Sequence, residues 1–341
     1  MKKVVVSVLM AMIWVCAAGM ISSANAADPQ TMTLKWSTFS NTGMKSYGKL
    51  VEYAEELEKR TNGRVKLQLY PGSTLSPAQF TLNAVLDGVA DVGHLVFAYS
   101  RGTFPLSEVL DMPLGIRSAS MATGLMNAWY KKFQPKELED LKLLFITGLG
   151  PSILHTKKPV KQYTDLKGMK IRTTGLGEKI ISAIGAVPVG MPMPETYDAI
   201  QKGVAEGVLA PNEALFNWKF GEVVKYTTPL YDASSSPCLS HVMSKKKWDA
   251  LPADIRQIWD KFNEEWIVSL GKFYDEQDLD GEAFGKSKGV EVLALSKEDQ
   301  AKCASAVKPI LDDYIAKMKA KGLPGEESVK FCQDYIKANA K

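Results

Sequence analysis

The sequence predicts an α/β protein built as two units, each a sheet of mainly parallel strands with covering helices. Three observations carry this. Short strands alternate with helix-period segments, the order that parallel crossover units produce. That alternation occurs in two separate runs along the chain. Beyond them, a proline-free stretch from Ala253 to about Lys286 repeats apolar residues every three or four positions, the stripe of one long amphipathic helix.

The first run opens with the alternating strand Thr31–Trp36, followed by the polar, small-residue loop Ser37–Met44. Tyr47, Leu50, Val51, Ala54 and Leu57 then fall at helical spacing, with a stop signal at Asn62-Gly63. Val65–Tyr70 alternates again and is closed by Pro71-Gly72; a helix covers about Pro77 to Gly88, and Ala90–Phe97 reads as a buried strand. The second run has strands at Lys142–Thr147, Met169–Thr173, Val187–Met191 and Val208–Ala210. Helices at Glu178–Ile184 and Pro194–Lys202 stand between them. In the long helix, Ile255, Ile258, Trp259, Phe262, Trp266, Leu270 and Phe273 form the apolar stripe. At about 1.5 Å per residue its roughly 30 residues reach about 45 Å, more than one small domain. It must lie across both units or stand off the body. Two further helices cover about Lys297–Ala320 and Glu326–Ala338.

The first 26 residues read as a signal peptide. Lys2 and Lys3 form a positive start, Val4–Val15 an apolar segment too short for a comfortable membrane span, and Ala24-Asn25-Ala26 a cleavage signature. The reading places the processed protein in the periplasm, starting at Ala27. A membrane anchor and a lipoprotein on Cys16 are the alternatives; Val15 stands where a lipoprotein needs a small residue. Removing Lys2 and Lys3 takes the formal charge from +4 to +2, too balanced to argue for nucleic acid or a membrane surface. Of the remaining cysteines, Cys303 and Cys332 sit on neighbouring helical patterns and form a possible disulfide in an oxidising compartment; three buried free thiols, Cys238 included, are the other reading.

Motifs for chemistry are missing from the sequence. His94, His155 and His241 show no metal-ligand spacing, no Cys-x-x-Cys occurs, and neither a nucleophile elbow nor a phosphate loop is found. Gly175-Leu-Gly177 begins like a dinucleotide fingerprint but lacks its third glycine and acidic partner. The reading is therefore a capture protein with no cofactor and no catalytic role. In open α/β sheets, ligands sit at the carboxyl ends of strands. That rule selects the loops after Trp36, Leu95, Thr147, Arg172, Met191 and Ala210. Arg172 ends an apolar strand, where a guanidinium can hold a carboxylate through two parallel hydrogen bonds; a surface arginine or interdomain ion pair is equally compatible with that position.

Four stretches, in this order and spacing, resemble the solute-binding proteins of tripartite ATP-independent periplasmic (TRAP) transporters. They are Tyr70-Pro-Gly-Ser-Thr-Leu75 with Ala90-Asp-Val-Gly93; Phe104-Pro-Leu106 with Asp111-Met-Pro-Leu114; Asp165-Leu-Lys-Gly-Met-Lys-Ile-Arg172 with Gly185-Ala-Val-Pro188; and Glu195–Val204 with Glu206-Gly207. The resemblance implies a two-domain periplasmic-binding-protein-like fold with a long helix spanning both domains. It divides the chain into 27–149 plus 238–277 and 150–237 plus 278–341. It also implies that Arg172 holds the ligand's carboxylate while the domains close, and that a monomer works with the integral membrane subunits of a TRAP transporter.

The family's second basic ligand position falls in Gly148–Leu154, which has no arginine, and an asparagine position falls at Ala210. Both departures speak against a sialic acid or a typical C4-dicarboxylate. With Arg172, the expected ligand contacts are Phe39, Phe97, Tyr99, Gly150, Thr174, Ala210, Glu213 and Phe216. An apolar or aromatic wall with one guanidinium suits a small monocarboxylate with a hydrophobic body. A C4-dicarboxylate or sugar acid, or a ligand-presenting role beside a sensor, are the alternatives.

Overall fold

The computed structural model describes residues 31–339. The signal-peptide reading, Cys16 included, lies outside the described residues. Strands β1 (Met32–Ser37), β2 (Val65–Tyr70), β3 (Val92–Val96), β4 (Leu141–Gly148) and β10 (Cys238–Ser244) form one sheet in the order β2-β1-β3-β10-β4. The second sheet holds β5 (Ile153–Thr156), β6 (Lys170–Thr173), β7 (Val187–Gly190), β8 (Gly207–Ala210), β9 (Tyr226–Thr228) and β11 (Glu291–Val292), ordered β11-β9-β5-β8-β6-β7.

The parallel pairs are the expected ones: β1 with β2 and β3, and β6 with β7 and β8. Helix α1 (Lys45–Arg60) makes the first crossover. It buries Leu50, Tyr53, Ala54 and Leu57 on one stripe and stops where Asn62 and Gly63 take positive φ. The two sheets are not purely parallel, however. β10 runs antiparallel to β3 and β4, and β5 antiparallel to β8 and β9. β4 belongs to the first sheet, and the chain then crosses to β5 in the second; after β9 it crosses back to β10. The two crossings are tied side by side, Leu149 N–H donating to Pro237 O (3.0 Å) and Ser152 N–H to Ser235 O (2.8 Å). These two adjacent strand-to-strand crossings, with the later passage from β10 through the long helix to β11, join the sheets, the construction of a hinge.

The long helix is α8, Ala253–Ser287, of 35 residues, about 52 Å at 1.5 Å per residue. It lies across both sheets. Its first half buries Ile255, Trp259, Phe262, Trp266 and Leu270 with Trp36, Tyr53 and Phe145 of the first sheet's core. Its second half packs on α6 (Glu213–Asn217) of the second. Contact there is backbone to backbone: a Cβ on Gly281 would fall 1.9 Å from Asn212 O. The remaining helices cover the sheets: α2 (Thr81–Leu86), α3 (Ala119–Phe133), α4 (Gly177–Ala183), α5 (Thr196–Gln201), α7 (Lys245–Asp249), α9 (Lys297–Ala320) and α10 (Gly325–Asn339). Helix α10 packs on α3, whereas α9 reaches α4.

Cys303 and Cys332 are both free and buried, as is Cys238, which corrects the possible disulfide. Register explains it. Ser328 and Gly325 of α10 lie against Tyr314 of α9, so Cys332, one turn on from Ser328, comes level with about Ile310. Cys303 is seven residues further along α9, about 10 Å at 1.5 Å per residue, beyond the roughly 4.4–6.8 Å that a disulfide allows between Cα atoms. Burial pushes the thiols up to about 11 for Cys303 and about 12 for Cys332.

Two outcomes test this fold. Gly281→Ala should lower stability by about 1–3 kcal/mol through overpacking, read as a lower urea midpoint at unchanged slope; an unmoved midpoint contradicts the close approach. Alkylation in denaturant without reductant should label Cys238, Cys303 and Cys332, and a cross-linked peptide joining the last two contradicts the register.

Candidate functional site

The carboxyl ends of β1, β3, β6, β7 and β8 all open on one cleft between the sheets, of about 880 Å³ including its mouth. The first sheet contributes Phe39 and Ser40 from the loop after β1, His94 and Val96 from β3, and Tyr99 from the turn after it. The second contributes Arg172 and Thr174, Met193, Ala210, Glu213 and Trp218. The paired crossings supply Leu149, Ser152, Ser235 and Leu239 at the back.

Arg172 is 5% exposed. Its Nε and Nη2 donate to Met191 O at 3.1 and 2.8 Å, which fixes the plane of the guanidinium from one edge. Among the described residues no carboxylate stands within ion-pair distance of it. Burial pulls its basicity down from the ordinary value, while Tyr99 and Glu195 act the other way. Arginine stays charged even so. The cleft therefore holds a desolvated cation with no anion, a costly arrangement unless something neutralises it.

The carboxyl groups nearby do not offer that neutralisation. Burial pushes Glu213 up to about 7 and Asp111 up to about 7; Asn217 and the Cys238 backbone N–H respectively offset this in part. Asp278 of α8, which accepts from Glu213 N–H at 2.9 Å, is pushed up to about 6 by burial. Near neutrality these side chains are partly or largely protonated.

Contacts already bridge the mouth. Tyr99 Oη accepts from Met193 N–H (2.9 Å), Lys45 N–H donates to Asn217 Oδ1 (3.2 Å), and Arg101 pairs with Glu178. Phe39 faces Trp218 with ring centroids 6.3 Å apart and planes 29° from parallel. This is a closed or nearly closed arrangement of the two halves.

Of the residues selected from sequence, Arg172, Phe39, Tyr99, Thr174, Ala210 and Glu213 line the cleft. Three do not. Phe97 turns into the core against Phe104, 4.7 Å away. Gly150 is a packing position: its Cβ would lie 1.8 Å from Asp278 Oδ2. Phe216 falls on the outward side of α6, edge-on to Phe284 and beneath the Lys45 ammonium. Trp218, Val96 and Met193 also line the cleft and follow no sequence motif, and His94, which shows no metal-ligand spacing in the sequence, lines it too. His155, by contrast, is fully engaged in the core, with Thr227 Oγ1 at 3.0 Å and Ala210 O at 3.1 Å.

Two α/β halves joined by paired crossings and braced by one helix, with a buried guanidinium in the cleft between them, define the architecture of a cleft-type binding protein. The family described as bacterial extracellular solute-binding protein, family 7, matches residues 37–318, and the chain belongs to that family, the solute-binding proteins of TRAP transporters. Such proteins bind small ligands and work with membrane components. The chain is 30% identical over 219 residues to the 2,3-diketo-L-gulonate-binding periplasmic protein YiaO of Escherichia coli; the match covers 60% of this chain and 64% of YiaO. It is similar to the crystal structure of a TRAP periplasmic solute-binding protein from Desulfovibrio salexigens, an open complex (34% identity, TM-score 0.79, 91% of this chain and 97% of that one). It is also similar to a marine metagenome TRAP protein specific for aromatic acid ligands, solved with metahydroxyphenylacetate (26%, TM-score 0.85, 91% and 100%).

The buried acids give a pH prediction. A carboxyl whose folded value is raised favours the folded state most below its unfolded value and loses that contribution as pH rises through the folded one. The Glu213 contribution should therefore fall between about pH 4.5 and about pH 7, its ordinary and shifted values, against the rise that buried His94, His155 and His241 contribute as pH increases, and Glu213→Gln should remove that falling component and change the slope. Equal slopes for the two proteins, measured by urea unfolding across this window, contradict the assignment.

Proposed function

We propose that this protein captures a small monocarboxylate with an apolar or aromatic body in the periplasm, after cleavage of a signal peptide at Ala26, and delivers it to the membrane subunits of a TRAP transporter. One observation carries the reading: Arg172 is buried, oriented and without an anionic partner among the described residues. A ligand carboxylate placed on its free edge neutralises it with charge-assisted bonds. Phe39, Val96, Tyr99, Leu209 and Trp218 supply the apolar surface for the rest of the ligand. The ligand's contacts with both halves favour the closed state, since only that state makes all of them. Halves 27–149 plus 238–277 and 150–237 plus 278–341 are the closing bodies in this reading, and the protein acts as a monomer.

The aromatic-acid specificity of the marine metagenome protein supports the ligand class. A dicarboxylate fits less well, because Arg172 is the one lysine or arginine among the cleft-lining residues while Asp111 and Glu213 also line it. YiaO's sugar-acid ligand supports a second reading of the same carboxylate site, with a hydroxylated body instead of an aromatic one.

Mass spectrometry of small molecules released from the freshly purified protein should find a carboxylic acid, absent from Arg172→Ala. That substitution should weaken binding by about 3–5 kcal/mol, the cost of stranding one partner of a buried charge pair. Unchanged affinity contradicts the role of Arg172. Preference for succinate over every aromatic or branched monocarboxylate contradicts the ligand class.

A further inference from the structure

The first sheet's side of the cleft contains a buried polar group with no partner among the described residues. His94 is 3% exposed and borders the cleft from β3. Its ring is held between Phe39 (centroids 4.1 Å apart, planes at 24°) and His241 (4.5 Å, 23°), so it cannot swing to another partner. Its Nδ1 is 2.9 Å from Thr38 Oγ1. Its Nε2 is buried and has no hydrogen-bond partner among the described residues.

The Thr38 contact favours one tautomer of the ring. Thr38 Oγ1 already accepts from Ser40 N–H at 3.2 Å. A hydroxyl has one proton to give, and among the described residues its only acceptor is His94 Nδ1. With Nδ1 as acceptor the hydroxyl proton is satisfied, whereas an Nδ1–H would strand it, so the contact favours the tautomer with the ring hydrogen on Nε2. Burial holds the imidazole neutral, with its basicity down to about 3. The result is a rigid, uncharged N–H donor left unpaired, an arrangement that costs free energy until an acceptor arrives.

From this we infer that His94 is a specificity-determining residue: its Nε2–H donates to a neutral oxygen, a hydroxyl or keto group, on the ligand whose carboxylate sits on Arg172. The inference rests on the monocarboxylate reading and narrows it to oxygenated acids. A second carboxylate at this point meets one neutral donor and no cation. A ligand lacking the oxygen leaves the donor stranded. Because His94 stands on the first sheet and Arg172 on the second, one such ligand links both halves through polar contacts and so favours closure.

The test compares phenylacetate with mandelate, phenylglyoxylate and the ring-hydroxylated phenylacetates by isothermal titration. Wild type should bind at least one oxygenated acid about ten- to a hundredfold more tightly than phenylacetate, the discrimination expected from one buried donor. His94→Phe should bind that acid and phenylacetate alike. Thr38→Val, which keeps the ring and removes the hydroxyl, should reduce the discrimination, and 15N NMR of the wild-type imidazole should show the hydrogen on Nε2. Discrimination that survives His94→Phe, an Nδ1–H tautomer, or phenylacetate binding as tightly as every oxygenated acid overturns the inference while leaving the monocarboxylate reading intact. Binding of no acid in either set overturns both.

Discussion

The desolvated guanidinium of Arg172 is the constraint on which the rest of this structure depends. A buried charge is tolerated only when it is hydrogen-bonded and neutralised. Here the protein supplies the first condition and leaves the second open. The Met191 carbonyl holds one edge of the fork, so the plane is set before any ligand arrives. The acids within reach are buried as well, and their burial favours the protonated form. In the proposed function they do not outcompete a ligand carboxylate for the cation. Preorganisation of this kind raises affinity because little ordering is left for the moment of binding.

Closure follows from the same balance. The halves are joined by two adjacent crossings and one long helix, so a small rotation moves the cleft walls with little change inside either sheet. The direct contacts across the mouth are few: a Tyr99 hydroxyl on a backbone N–H, an exposed Arg101–Glu178 pair, a Lys45 backbone bond and the facing rings of Phe39 and Trp218. An exposed ion pair contributes at most about 1 kcal/mol. In the proposed function such contacts guide closure without locking it, and a ligand touching both walls shifts the balance by its differential affinity for the closed state.

Much of this was legible in the sequence. The parallel strands, the crossover helices and the extent of α8 announce themselves by period, because each buries one face or one stripe. Arg172 was legible because a charge at the end of an apolar strand is unusual. The antiparallel β5 and β10 were not identified: β10 places Ser240 and His241 in the middle of a buried strand, which breaks the apolar pattern. Phe97 and Phe216 were assigned to the cleft because they lie near the right strand ends. Yet a side chain's direction depends on the local turn, and both turns point away. The Cys303 and Cys332 pairing failed for a related reason: adjacency of helices does not set the register along them. His94 needed coordinates, since only geometry separates a satisfied histidine such as His155 from one with an idle nitrogen.

The measurement that tests the central claim most directly is the crystal structure of the protein with the ligand it retains through purification. The account predicts one carboxylate in the cleft, both oxygens on the free edge of Arg172, with the Met191 carbonyl still holding the opposite edge. A ligand without a carboxylate, or a carboxylate bound elsewhere while Arg172 stays unpaired, contradicts it.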